Sequence, residues 1–204
     1  MSQIEAVIFD CDGVMFESRR ANLAYYNRIL EEFSYPPVST EHKELAQMCH
    51  TASSSVVLAN LLRQEDLPSA RIFSATLDYR AFIPYMEPEA DLTELLEQLL
   101  GHYPMAIATN RGKSILAILD HFNLDKYFTA VVTSHDVENP KPAPDMLFLA
   151  AESLNIKPEN CLFIGDSELD KLAATEANMQ FAGYGKEVSG KISLSNHLQL
   201  LDYL

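Results

Sequence analysis

Short apolar runs, rich in β-branched and aromatic residues, recur along the chain and are separated by longer segments of a different pattern. Runs of this length and composition are typical of strands that are buried on both faces. The predicted strands cover residues 4–9, 105–108, 127–133, 161–164 and 179–182. The last of these runs has the weakest pattern.

The segments that follow most of these runs repeat apolar residues every three or four positions, which is the period of an amphipathic helix. The predicted helices cover residues 89–100, 113–122, 145–154 and 168–177. A chain that alternates strands and helices in this way builds parallel strands joined by right-handed crossovers. The pattern therefore predicts an α/β fold with a doubly wound parallel sheet.

One segment between the first two predicted strands breaks this alternation. Residues 17–84 contain no convincing strand but carry four helical patterns, at residues 19–33, 40–48, 53–62 and 70–79. A crossover normally carries a single helix, so the segment is too long to be one. We predict that residues 1–16 and 85–204 form the core domain and that residues 17–84 form a small inserted α-helical subdomain.

Charge and composition exclude several classes of protein. The 204 residues carry 29 acidic and 15 basic side chains, a formal net charge of −14, whereas a nucleic-acid binder needs a basic surface. The longest apolar run, residues 146–151, is far shorter than the roughly 18 residues of a membrane helix. We therefore expect neither nucleic acid nor a membrane as a partner. Three widely spaced cysteines and the lack of a secretory signal predict a cytoplasmic protein.

Four carboxylates follow the predicted strands, where open α/β sheets bind their ligands. Asp10 and Asp12 follow the first strand, and residues two apart in extended chain face the same side. Asp166 and Asp170 follow the fourth strand. Close carboxylates repel one another unless a cation lies between them, and a set of oxygen ligands suits Mg²⁺. The sequence therefore predicts a Mg²⁺ site at this edge of the sheet.

Basic and hydroxyl groups at the same edge could balance these carboxylates. Lys141 lies between Pro140 and Pro142, which stiffen the loop and fix where the amine points. Thr109 follows the second strand, and Arg111 lies at a predicted helix start, where a cation is unfavourable unless an anion is bound. Each of these residues alone could be an ordinary surface or core residue. Together they predict an anion site.

These motifs, in this order, resemble those of the haloacid dehalogenase (HAD) superfamily, and the resemblance covers the whole chain. The motifs are Asp10-Cys11-Asp12-Gly13-Val14, Thr109, Lys141, and Gly165-Asp166 with Asp170. The pattern is most similar to that of the phosphoglycolate phosphatase and β-phosphoglucomutase branch, which has a helical cap after the first strand. The resemblance implies a HAD-like Rossmann-type core, with residues 17–84 as the cap.

The resemblance also implies a mechanism, which is phosphoryl transfer through an aspartyl phosphate. Asp10 would attack phosphorus, and Asp12 would protonate the leaving oxygen and then activate water. Mg²⁺ would be held by the side chains of Asp10 and Asp166 and by the backbone carbonyl of Asp12. Asp170 would orient the waters of the metal.

Further residues would hold the phosphoryl group in such an enzyme. Thr109 and the backbone N–H of Asn110 would bind its oxygens, and Arg111 is another candidate for this contact. Lys141 would neutralise charge on the nucleophile and on the phosphoryl group. We therefore expect a Mg²⁺-dependent phosphatase that acts on a small phosphorylated metabolite, phosphoglycolate-like or sugar-phosphate-like. We expect it to be a monomer or a weak homodimer.

Asp12 favours a phosphate ester over the other substrates of the superfamily. The dehalogenase and phosphonate-hydrolase branches lack an acid at this position. The phosphonate branch also uses a cap lysine, whereas Lys43 is the only lysine in residues 17–84.

Three alternatives stay open at this stage. A sugar-phosphate mutase of the β-phosphoglucomutase type would pass the phosphoryl group to a second sugar hydroxyl, and Gly13-Val14 leans slightly towards it. A receiver-type signalling domain groups similar residues, but its phosphoacceptor follows the third strand and the inserted helices would be unexplained. A HAD protein that binds without catalysis would have no need of the intact motifs.

The cap would select the substrate, because the motif residues handle only the phosphoryl group. By the resemblance, a substrate-reading loop between the cap helices falls near residues 49–53. His50 is the candidate in this loop, since its imidazole suits a small polyol or carboxylate on the leaving group.

Overall fold

Within residues 3–204, which a computed structural model describes, six strands form a parallel sheet. In chain order the strands are β1 (Ala6–Phe9), β2 (Phe16–Glu17), β3 (Glu87–Pro88), β4 (Met105–Thr109), β5 (Ala130–Thr133), β6 (Cys161–Gly165), β7 (Gln180–Tyr184) and β8 (Ile192–Leu194). The sheet has the order β5-β4-β1-β6-β7-β8, and every neighbouring pair is parallel. β2 and β3 form a separate antiparallel ribbon.

Helices lie on both faces of this sheet. The helices are α1 (Arg19–Glu32), α2 (Lys43–Thr51), α3 (Ser54–Leu61), α4 (Leu67–Thr76), α5 (Leu92–Leu99), α6 (Ser114–Phe122), α7 (Asp145–Leu154) and α8 (Glu168–Glu176). Alternate side chains of β1 point to opposite faces, so Val7 and Phe9 pack with α5 and α6, and Ala6 and Ile8 pack with α7 and α8. The predicted doubly wound α/β fold is confirmed.

Two strands differ from the sequence prediction. β5 begins at Ala130, later than expected, because Asp125–Tyr127 form a 3₁₀ turn. β8 was not predicted, because its three residues are too few to show a periodic pattern and the middle one, Ser193, is exposed. It lies at the end of the sheet, beside β7.

The inserted helices α1–α4 share an apolar cluster of their own, separate from the two clusters on the sheet. α4 begins at Leu67, earlier than predicted, because Pro68 is accepted in the first turn of a helix. α2 continues to Thr51. The prediction of a loop at residues 49–53 was therefore wrong for His50, which lies in the last turn of α2.

The chain enters and leaves the inserted helices through the β2–β3 ribbon. Phe16 pairs with Pro88 and Glu17 pairs with Glu87, so the two connections lie side by side. The boundaries at residues 17 and 84 stay a prediction. Among residues 3–204, no helix has the length and apolar character needed to span a membrane.

Candidate active site

The candidate site lies where the chain changes direction across the sheet. From β1 the chain crosses to β4 and β5 on one side, and then returns to β6 and β7 on the other. Loops that leave neighbouring strands in opposite directions open a crevice at their carboxyl ends. Asp10, Thr109 and Asp166 stand at the ends of the adjacent strands β1, β4 and β6, and all three are buried.

Three buried carboxylates converge in this crevice. Asp10, Asp166 and Asp170 each offer an oxygen within 4.8 Å of the others. Burial, reinforced by the other two carboxylates, raises the pKa of Asp10 to about 8 even though Lys141 opposes the shift. Burial also raises the pKa of Asp166. A cluster of this kind is stabilised by a cation, and its oxygen donors fit the preference of Mg²⁺.

Gly13 makes room for this cluster. Its φ of +76° is in the left-handed region, and a Cβ at this position would lie 1.9 Å from Asp166 Oδ2. Only glycine combines that backbone conformation with so close an approach. Gly13 therefore allows Asp166, at the end of β6, to pack directly against the turn that follows β1.

Lys141 lies between two of the carboxylates. Its Nζ is 2.9 Å from Asp10 Oδ1 and 2.6 Å from Asp170 Oδ1, and the residue is only 5% exposed. Burial opposes the charge of Lys141, but the two carboxylates outweigh it and hold its pKa above the usual range. The alternative of a solvated surface lysine is excluded by this position.

Asp170 belongs both to the site and to the start of α8. Its Oδ2 accepts from the backbone N–H and the hydroxyl of Ser167, at 3.0 and 2.5 Å, and Ser167 in turn caps the helix. Its Oδ1 accepts from Lys141. Both oxygens are thus engaged, so Asp170 is placed to hold Lys141. Among the described residues, Asp10 Oδ2 makes no hydrogen bond and stays available.

The Asp12 side chain lies outside the carboxylate cluster. Arg111 pairs with both of its oxygens, with Nε 3.1 Å from Oδ2, and Ser18 and Asn22 also donate to Oδ1. Burial opposes ionisation, but Arg111 outweighs it and lowers the pKa of Asp12 to about 2. Arg111, a candidate phosphate ligand from the sequence, therefore has a carboxylate as its partner in this structure.

Sequence reasoning missed the residues that surround Arg111. Asn22 Oδ1 accepts from Arg111 Nη2 at 2.7 Å and from the Tyr79 hydroxyl at 3.0 Å, and the guanidinium lies 4.7 Å from the centre of the Tyr79 ring. Ser18 completes the group. The one usable signal was Asn22, an amide placed among the apolar positions of α1. Nothing local links it to Arg111, which is 89 residues away.

Thr109 and Asn110 connect the end of β4 to its surroundings. The Thr109 hydroxyl accepts from the backbone N–H of Arg111 at 3.1 Å. The Asn110 amide donates to the carbonyls of Lys141 and Thr51, at 3.0 and 3.1 Å. Since Thr51 ends α2, the second contact ties the inserted helices to the edge of the sheet.

His50 lies against the carboxylates. Its Nε2 is 3.7 Å from Asp166 Oδ2, too far for a hydrogen bond, and neither ring nitrogen has a hydrogen-bond partner in the described part of the chain. The residue is 4% exposed. Burial opposes its charge, but Asp166 and Asp12 outweigh it and raise the pKa of His50. The expected contact with a leaving group stays a prediction.

A cavity of about 600 Å³ lies between the edge of the sheet and the inserted helices. Asp10, Asp12 and Thr109 line it from the sheet, and Tyr25 and Ser54 line it from the helices. A volume of this size suits a small molecule. Of the carboxylate cluster, Asp10 lines the cavity, and the buried Lys141 contacts Asp10.

A family model and two relatives share sequence similarity with this chain. The family model of haloacid dehalogenase-like hydrolases matches residues 7–184. A phosphorylated carbohydrates phosphatase of Thermotoga maritima is 26% identical, and the match covers 87% of this chain and 83% of that protein. A phosphoglycolate phosphatase of Escherichia coli O157:H7 is 28% identical, with 94% and 86% covered.

Solved structures show the same fold. A HAD-superfamily hydrolase of subfamily IA from Geobacter sulfurreducens has a TM-score of 0.87 at 37% identity, covering 98% of this chain and 100% of that one. A β-phosphoglucomutase from Clostridium difficile has a TM-score of 0.85 at 19% identity, with 98% and 95% covered, which shows the shared fold alone. From the matched family model and the arrangement of the motif residues, we conclude that this chain belongs to the haloacid dehalogenase-like hydrolases.

Proposed function

We propose that the protein is a Mg²⁺-dependent phosphatase that hydrolyses a small phosphorylated metabolite through an aspartyl phosphate at Asp10. The observation that carries the proposal is the buried cluster of Asp10, Asp166 and Asp170, in which Lys141 contacts Asp10 and Asp10 lines a cavity. Relatives named phosphorylated carbohydrates phosphatase, phosphoglycolate phosphatase and fructose-1-phosphate phosphatase support the substrate class.

The carboxylates of Asp10 and Asp166 are the candidate side-chain ligands for Mg²⁺, and the backbone carbonyl of Asp12 is a third. When bound, the ion supplies positive charge that offsets repulsion between the phosphoryl group and the carboxylates. Asp170 does not need to bind the ion directly, because both of its oxygens are engaged by Lys141 and Ser167.

The residues of the chain divide the chemistry between them. Asp10 is held through Oδ1 by Lys141 and by the Cys11 N–H at 2.7 Å, which aims the carboxylate. It forms a bond to phosphorus as the ester P–O bond breaks. Asp12, which must first leave Arg111 and take up a proton, gives that proton to the leaving oxygen. Water then attacks the phosphorus atom and loses a proton to Asp12, and the bond to Asp10 breaks to release phosphate.

Three groups would bind the phosphoryl oxygens during these steps. Thr109 and the backbone N–H of Asn110 lie at the end of β4, beside Asp10 on β1. Lys141 neutralises charge that develops on the transferred group. Asp170 acts as a positioning residue, since it holds the amine of Lys141 at 2.6 Å.

The test is release of inorganic phosphate from a panel of phosphorylated metabolites with Mg²⁺, and then with excess EDTA. Asp10→Asn should reduce turnover to background, because an amide cannot be the nucleophile. Asp120→Asn is the matched control, since Asp120 is exposed on α6. Substantial activity in Asp10→Asn, or full activity in EDTA, would contradict the mechanism. Conversion of one sugar phosphate into its isomer, without phosphate release and dependent on a sugar bisphosphate activator, would instead favour the mutase.

A further inference from the structure

Arg111 is a buried cation that lines the cavity. Its side chain is 5% exposed, and its charge is balanced by Asp12. A buried ion pair is costly to break one partner at a time, because the partner that stays behind keeps an uncompensated charge. If Asp12 moves away, Arg111 therefore needs another anion as its partner.

The geometry leaves one part of the guanidinium available. Nε and Nη2 donate to Asp12, and Nη2 also donates to Asn22 at 2.7 Å. Within residues 3–204, Nη1 donates only to the Ser114 hydroxyl, at the limiting distance of 3.5 Å. Asn22 and the face of the Tyr79 ring keep the group in place from the side of the inserted helices. These contacts hold the guanidinium in one position at the surface of the cavity.

Asp12 cannot donate a proton to the leaving oxygen while Arg111, Ser18 and Asn22 hold its carboxylate. Both of its oxygens accept from Arg111, and Ser18 and Asn22 donate to one of them as well. To reach the leaving oxygen, Asp12 has to give up Arg111. A substrate that brings a second anion can take the place of Asp12 on the guanidinium, so that no buried charge is left unpaired.

We propose that Arg111 binds a second anionic group on the leaving part of the substrate, a carboxylate or a second phosphate, and that this anion replaces Asp12 as the partner of the guanidinium. The proposal rests on the phosphatase function above and narrows its substrates to phosphate monoesters that carry another anion. Carboxylates and phosphates both match the fork of a guanidinium, so the experiment has an arm for each.

Other charges that line the cavity are weaker candidates for this contact. Arg71 and Lys113 line it as well, but both are exposed, as is the acidic Asp78. Exposed charges are screened by water and salt, whereas a buried one is screened much less. Arg71 and Lys113 therefore serve as matched comparisons.

The experiment compares kcat/KM for paired esters. 2-Phosphoglycolate is compared with 2-hydroxyethyl phosphate, and propane-1,3-diol bisphosphate with 3-hydroxypropyl phosphate. The wild-type enzyme should prefer the anionic member of at least one pair by about 30-fold or more, since a site built to bind a group rejects the analogue that lacks it. Arg111→Gln should reduce that preference to below about threefold, and Arg111→Lys should keep part of it. Arg71→Gln and Lys113→Gln should keep it.

A binding measurement covers variants that lose turnover. Calorimetry on the Mg²⁺-loaded protein compares phosphonoacetate with methylphosphonate, which lacks the carboxylate, and propane-1,3-diyl bisphosphonate with propylphosphonate, which lacks the second phosphonate. The wild-type protein should bind the doubly anionic member of at least one pair more tightly, and Arg111→Gln should lose that difference. An equal loss for both members of each pair, or a preference that survives in Arg111→Gln, overturns the proposal. So does a preference lost in Arg71→Gln or Lys113→Gln instead.

The two proposals fail in different ways. A wild-type enzyme that releases phosphate from esters with no preference for a second anion keeps the phosphatase function and overturns the role of Arg111. A protein that releases no phosphate from any ester refutes the phosphatase function, and the calorimetric comparison then still decides whether Arg111 binds the second anion.

Discussion

Two buried cations, Lys141 and Arg111, form ion pairs with carboxylates of the site. Lys141 contacts Asp10 and Asp170, and Arg111 contacts Asp12. Each cation is almost fully withdrawn from water, so its charge acts at short range and with little screening. These two cations offset part of the charge of the four carboxylates Asp10, Asp12, Asp166 and Asp170, and a bound Mg²⁺ would supply the rest of the positive charge that an anionic substrate needs.

Replacing Lys141 tests the first of these cations. We expect Lys141→Ala to lower kcat/KM by roughly 10²-fold or more, because it removes a preorganised charge beside the nucleophile. The measurement is phosphate release at saturating Mg²⁺, with circular dichroism to confirm that the variant is folded. Lys157→Ala, which removes an exposed lysine, is the control. A loss below about threefold would show that Lys141 has no catalytic role.

The ends of two helices bring side chains into the site. The first turn of α8 presents Asp170, which Ser167 holds through a reciprocal capping box. The last turn of α2 presents His50, and the Thr51 carbonyl beside it binds Asn110. In both cases a helix end, with its unpaired backbone groups, meets the carboxyl edge of the sheet.

The capping box of α8 predicts a stability effect. Ser167→Ala should lower the free energy of unfolding by about 1 kcal/mol, since it removes the side chain that caps the helix and holds Asp170. Urea denaturation monitored by circular dichroism measures it. Ser153→Ala is the matched control, because Ser153 is an exposed hydroxyl within α7, and it should change the free energy by less than about 0.5 kcal/mol. An equal effect of the two variants would refute the role of the box.

The position of His50 predicts a kinetic effect at the end of α2. Because the imidazole lies beside Asp166, we expect His50→Ala to lower kcat/KM by about tenfold for small and large esters alike. The comparison uses p-nitrophenyl phosphate and a phosphorylated metabolite, with the exposed His102→Ala as control. A change confined to one ester would show that His50 reads the leaving group, as the sequence suggested.

At the scale of the whole molecule, the C-terminal segment packs beneath the first motif. His197 is fully buried, and its ring stacks on Tyr184 at 4.6 Å between centroids. Its Nε2 lies 2.8 Å from the carbonyl of Val14, in the loop that carries the first motif. The fold of the last residues is thus coupled to the geometry of the site.

His197 predicts a pH dependence of global stability. Burial lowers the pKa of His197 to about 4, so the unfolded chain, with a pKa near 6.5, binds a proton first as the pH falls. His197 therefore opposes folding increasingly between pH 6.5 and 4, by about 3 kcal/mol at most. Chemical denaturation at pH 7 and pH 4.5 measures it.

The raised pKa values of Asp10 and Asp166 also make the stability depend on pH, so the wild-type value alone does not isolate His197. We therefore compare the wild-type protein with His197→Gln, which cannot take up a proton. The unfolding free energy of the wild-type protein minus that of His197→Gln should decrease as the pH falls from 7 to 4.5. A difference that is independent of pH would contradict the buried, neutral state of His197.

The amino-acid sequence by itself determined the alternation of strands and helices, the inserted helical segment and the residues at the ends of the strands. These features are local: periodicity reports which face of an element is buried, and a residue after a parallel strand lies at the carboxyl edge of the sheet. That is why the order of residues along the chain is enough to predict that Asp10, Thr109 and Asp166 lie together.

The tertiary structure alone decided which charged groups meet. Asp12 is held by Arg111, 99 residues away, and by Asn22. His50 lies at the end of a helix, not in a loop, and is close to Asp166. Lys141 forms ion pairs with two carboxylates. Such pairings depend on how far each side chain reaches across elements that are distant in the chain, and no periodic pattern records that distance. The sequence determined the groups at the site, and packing decided their partners.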